Sequence, residues 1–165
     1  MKDSGFSLIE IIVAVGLAAI FLPAIGVILS FALFSASEGE QFSKAHNVAQ
    51  EGMEAFFYLK SKNDSTWDWT TTPSNTASGE YYQPLQAGGI WQLGTKTTSP
   101  SVTQPPFTRK IELIQVCRNP SLTIADCSAP GASVDPYSRK VMVYVSWLEN
   151  GQRQEVKLGS YVTAH

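Results

Sequence analysis

The sequence predicts an α+β protein. A long N-terminal α-helix, transmembrane in its first half and amphipathic in its second, packs on a C-terminal antiparallel β-sheet, giving a lollipop. Three observations predict it. Ile11 to Phe34 is apolar apart from Ser30 and carries no charge. A one-sided stripe of apolar and small residues follows at helical spacing. The last third alternates apolar and polar residues around Asn150-Gly151.

The elements follow in order. Residues 1–5 precede the apolar run and contain Lys2 and Asp3. Residues 6–34 form the first half of the helix. At about 1.5 Å per residue, the run from Ile11 to Phe34 spans roughly 36 Å, enough for a hydrocarbon core of about 30 Å. A cleaved secretory signal is the competing reading. It needs an apolar region of only about 7–15 residues and a small-residue cleavage site. This run is longer, and "FALFSASEGEQ" offers only "SAS". Lys2, the only basic side chain before the helix, places the N-terminus in the cytoplasm by the positive-inside rule. The expected location is therefore a single pass through the inner (cytoplasmic) membrane, with the C-terminal domain outside the cytoplasm.

Residues 35–62 carry the stripe Phe42, Ala45, Ala49, Gly52, Phe56 and Leu59. The spacing predicts one nearly continuous helix from Phe6 to about Lys62, roughly 85 Å long. Pro23 and Gly26 are the positions at which it would kink or unwind. Residues 63–106 read as a loop-rich connector rich in Thr, Ser, Gly and Pro. It holds a short hairpin of Tyr81–Leu85 and Ile90–Leu93 around Gly88-Gly89, then a turn-rich linker, "TKTTSPSVTQPP". Residues 107–165 read as a sheet of three or more antiparallel strands. Ile111 and Leu113 oppose Ile114 and Val116, and Val141, Val143, Val145 and Trp147 oppose Met142, Tyr144 and Ser146. Val156, Leu158, Ser160 and Val162 share a face of the last strand.

Composition narrows the function classes. The 165 residues carry a formal net charge of −2, so no basic surplus points to nucleic acid. Cys117 and Cys127 are the only cysteines; they form either a disulfide in an exported domain or two reduced core thiols. Zinc-type CxxC spacing, Gly-x-Ser-x-Gly and His-Glu-x-x-His are all absent, and His46 and His165 are the only histidines. We therefore expect no enzyme, no cofactor, no metal and no small-molecule substrate. Asp126, Asp135 and Glu149 read as solvated loop acids before they read as calcium ligands. Trp67, Trp69, Tyr81, Tyr82 and Trp91 either cover the core or form an exposed binding patch. Asn63-Asp64-Ser65 fits the N-glycosylation pattern, a weak signal on its own.

The stretch "GFSLIEIIVAV" resembles the processing motif of the type IV pilin superfamily. That motif is Gly, a hydrophobic residue, Thr or Ser, Leu, an aliphatic residue and Glu, directly before a long apolar helix; here it is Gly5, Phe6, Ser7, Leu8, Ile9 and Glu10. "NVAQEGMEAFFYLK" resembles the helix of minor pilins and of type II secretion minor pseudopilins, and the C-terminal strands resemble a group of minor pilin-like proteins. The resemblance implies cleavage between Gly5 and Phe6 by a prepilin peptidase that also N-methylates Phe6. It implies a minor pilin or pseudopilin, built through its helix into a type IV pilus or type II secretion pseudopilus. Its partners would be that peptidase/methyltransferase, other pilin or pseudopilin subunits, an inner-membrane assembly platform and membrane lipid. The alternative is a membrane-anchored exported binding module that does not polymerise.

Physical chemistry gives Glu10 a role in the first reading. A carboxylate in an apolar helix is costly, and the helix N-terminus offsets only about 0.3–1 kcal/mol of that. Cleavage would create an α-amino group on Phe6, with a reference pKa of about 7.7–8.0. Glu10 answers that charge either on a neighbouring helix, fixing axial register, or on its own chain one turn away.

Overall fold

The computed structural model describes residues 7–63, 73–101 and 104–163. The chain divides into two compact units, Met1–Phe42 and Ser43–His165, and one helix, α1 (Leu8–Asn63), runs through the boundary.

In the first unit, the carbonyl of Ser7 accepts from the amides of Glu10 and Ile11 at 3.0 and 3.3 Å, which closes the opening turn. Glu10 lies in that turn and Lys60 and Lys62 in the last, both complementary to the helix dipole. Every residue from Ser7 to Glu40 is exposed, including Leu8, Ile9, Phe31 and Leu33. By length and composition α1 can cross a membrane. Neither Pro23 nor Gly26 unwinds it, and α1 remains helical throughout. Proline removes one amide bond, and the flanking bonds of a long helix keep the segment in place. The hydroxyl of Ser30 donates to the carbonyl of Gly26 at 2.9 Å, so the one polar side chain in the apolar stretch is satisfied within the helix.

The second unit holds the α+β core. Its strands are β1 (Tyr81–Tyr82), β2 (Leu85–Ala87), β3 (Ile90–Gln92), β4 (Lys96–Thr97), β5 (Thr108–Arg118), β6 (Ile124–Ala125), β7 (Ser133–Glu149) and β8 (Gln152–Thr163). The main sheet runs β4-β1-β5-β7-β8, antiparallel throughout, with β6 beside β5; β2 and β3 form a separate ribbon. Glu149 pairs with Gln152 across Asn150-Gly151, whose φ angles of 51° and 78° are those of the tight turn that an Asn-Gly pair favours. Ala45, Ala49, Met53 and Phe56 of α1 pack on Ile111, Leu113, Val141, Val143 and Val145 of the sheet. Burying each large side chain contributes about 1.5–3 kcal/mol. Gly52 sets the approach. A Cβ there would lie 2.8 Å from Cδ of Arg109 and 3.0 Å from Cγ1 of Val143.

Three elements differ from the sequence expectation. The segment Tyr81–Leu85 is not one strand. Pro84, fully buried and without an amide hydrogen, separates β1 in the main sheet from β2 in the ribbon. Lys96–Thr97, expected in a linker, pairs with β1 instead. And β7 starts at Ser133, not near Arg139. Its register against β5 jumps between Gln115↔Arg139 and Val116↔Asp135, so Pro136 sits in an irregularity where no ladder amide is required.

Candidate functional site

The first candidate site is the start of α1. Gly5 and Phe6, the expected cleavage and methylation positions, lie outside the described residues. Glu10 is exposed in the first turn, between the exposed side chains of Ile9 and Ile11. Its carboxylate has no side-chain partner among the described residues. Ser7 and Glu10 have the S-x-x-E spacing of a capping box, in which the glutamate reaches back to the amide of the cap residue. That spacing was readable in the sequence, but the bond formed here is the backbone one, from the amide of Glu10 to the carbonyl of Ser7. Farther along, a Cβ at Gly16 or Gly26 would touch nothing among the described residues, so none of their side chains packs over these glycines. Such bare small residues allow another helix to approach closely.

Cys117 and Cys127 form a disulfide with Cα atoms 5.0 Å apart, which settles the sequence alternatives in favour of the bond. It ties β5 to the loop beyond β6. The three loop acids do not converge. Asp126 accepts from the amide and hydroxyl of Ser128 at 2.9 and 2.7 Å, and these bonds hold its carboxyl below the ordinary range. Asp135 accepts from Nε of Arg118 at 2.6 Å. Burial alone would raise its pKa, but the hydrogen bonds from Arg118, Ser138 and Tyr137 together outweigh it and lower it. Glu149 accepts from the indole of Trp147 at 3.3 Å.

The aromatic residues also separate. Trp67 and Trp69 lie outside the described residues. Tyr82 is buried and donates to the carbonyl of Ser74 at 3.2 Å. Tyr81 meets Tyr144 edge to face at 6.2 Å on the outer side of the sheet, with the ammonium of Lys110 3.8 Å from the Tyr81 ring centre. Burial and then the 2.6 Å bond to Glu112 raise the Tyr144 phenol above its ordinary range.

Trp91 belongs to a different place, a cleft of about 340 Å³ within the second unit. Arg109 forms its floor at only 2% exposure. Nη1 of Arg109 lies 3.0 Å from Oε2 of Glu51 and donates to the carbonyl of Val48 at 3.2 Å. Its guanidinium carbon stands 5.2 Å from the Trp91 ring centre. Burial pulls the guanidinium pKa down, and Glu51 opposes that pull. Nε2 of Gln104 donates to the same Oε2 at 2.9 Å. The sequence carried one sign of this site. Arg109 stands two residues before Ile111 and four before Leu113, at the parity of the buried face. A charged residue at an inward position needs a partner. No protein-family model matches this chain, and neither a curated protein nor a solved structure matches it.

Proposed function

We propose that the chain is a minor pilin or pseudopilin, a structural subunit cut between Gly5 and Phe6 and assembled through the first half of α1. The observation that carries this reading is the helix itself. α1 is exposed and apolar on all sides from Leu8 to Phe34, apart from Ser30, with Glu10 its one charge, and continues unbroken into a half clamped to a sheet. An apolar surface of that length needs lipid or other helices around it. The bare small residues suit helices, and the lone carboxylate suits a fixed register between them. A subunit that exchanges lipid for helical neighbours uses both properties.

The test replaces Glu10 and Gly5 separately in the full chain. Glu10→Val is expected to insert in the membrane and to be processed, but to disappear from sheared or cross-linked filaments. Gly5→Leu is expected to leave a longer precursor on a gel. Filaments that incorporate Glu10→Val at the normal level, together with normal processing of Gly5→Leu, would falsify the proposal.

A further inference from the structure

We infer that the cleft floored by Arg109 is a binding site for a neutral sugar, taking one pyranose ring of a glycan between the β2–β3 ribbon and α1. The inference is independent of the assembly reading, because it concerns only groups of the second unit.

Charge excludes the ionic ligand classes first. Among the described residues, Glu51 and Arg109 are the only charged ones lining the cleft, and they neutralise one another at 3.0 Å. A cation at Glu51 would leave the buried Arg109 guanidinium unpaired, and an anion at Arg109 would have to compete with the carboxylate already 3.0 Å away, so either exchange is costly. The remaining polar groups suit hydroxyls. Arg109 and Gln104 both use Oε2 of Glu51, so Oε1 has no partner among the described residues. Gln86 and the indole N–H of Trp91 likewise have none among them. A carboxylate oxygen is a strong acceptor for O–H, an amide both accepts and donates, and an indole donates. Hydroxyls donate and accept, so a ring bearing several of them matches this set.

The rest of the cleft provides the apolar half of the match. Gln86 and Trp91 are direct partners across the β2–β3 ribbon, so an amide and an indole stand side by side on one face. Leu85 and Pro84 adjoin them. A pyranose has C–H faces for such a surface and hydroxyls at its rim. The site is also held ready: the Arg109 guanidinium fixes the indole from one side, and Arg109 is itself held by Glu51 and Val48. Little side-chain freedom is lost on binding. The volume of about 340 Å³ is at the small end of ligand pockets and suits a single ring.

The experiment uses the full chain in a detergent without a sugar headgroup. Saturation-transfer NMR would be run against neutral methyl hexopyranosides, methyl N-acetylhexosaminides, a hexuronic acid and an uncharged tripeptide. Transfer to at least one neutral pyranoside is expected, with Kd weakened about tenfold or more by Gln86→Ala and by Trp91→Ala. Gln86 is exposed, so its variant keeps the fold if Trp91→Ala does not. Tyr161→Ala, on β8, should bind as the parent does. Three results would overturn the inference: no transfer to any neutral sugar, transfer that both cleft variants retain, or preference for the uronic acid or the tripeptide.

Discussion

The two halves of α1 use the same residue types for opposite ends. Gly16 and Gly26 in the first half face open space, whereas Gly52 in the second has Arg109 and Val143 where its side chain would be. Phe31 is 72% exposed in the first half, and Phe56 in the second is fully buried. Helical propensity does not separate them, since one unbroken helix carries both. The difference lies in what the chain itself provides as cover. The second half is completed by its own sheet, and the first is left uncovered by the described residues.

Substitutions can break that contrast, and the largest effect belongs to the aromatic pair. Phe56→Ala should destabilise the second unit by about 3–5 kcal/mol, while Phe31→Ala should leave its thermal unfolding unchanged. Equal shifts for the two would mean that the first half is also packed by its own chain. Next comes the disulfide. Replacing Cys117 and Cys127 by Ser opens a loop of sequence separation 10 and should cost roughly 2–3 kcal/mol. Circular dichroism should still show the helix of the first half after the sheet has melted.

The glycines give a smaller but sharper contrast. Gly52→Ala should cost about 1–3 kcal/mol by overpacking. Gly16→Ala and Gly26→Ala should stabilise the helix by up to about 1 kcal/mol. Denaturant midpoints measured on all three decide this, and a stabilising Gly52→Ala would refute the close approach. The smallest effect is electrostatic. The folded-state pKa of Asp135 is lowered, so its contribution is fully present above the unfolded carboxylate range near pH 4. It is lost as the pH falls through the lower folded value. Asp135→Asn should therefore flatten the acid limb of a melting-temperature profile below about pH 5, and an unchanged limb would show that Arg118 and Ser138 do not hold the carboxylate.

Legibility in the sequence followed the range of the interactions. The apolar run, the stripe from Phe42 to Leu59 and the strands around Asn150-Gly151 are local patterns, and all were readable. The late start of β7 was hidden by Pro136, which argues against a strand unless a register irregularity is known to surround it. The pairing of β1 with both β4 and β5 joins residues about 15 to 30 apart, beyond any periodicity. The cleft was the least legible feature. Trp91 was marked only as an aromatic, and nothing in spacing alone brings it to Glu51 and Arg109, which come from three separate elements.

The strand order also sets a sequence of events during synthesis. The buried face of α1, from Ala45 to Phe56, leaves the ribosome first, but Val156 and Val162, which belong to the same core cluster, arrive last on the edge strand β8. Until then the apolar stripe and the inward face of β7 are both incompletely covered. The chain therefore carries a sticky, half-built core from the appearance of Ala45 until that of Val162, and needs a holding partner or fast completion to avoid aggregation. The two-residue turn at Asn150-Gly151 favours fast completion. Hairpins of this kind form in about 1–10 μs, so β8 docks almost as soon as it is free to move.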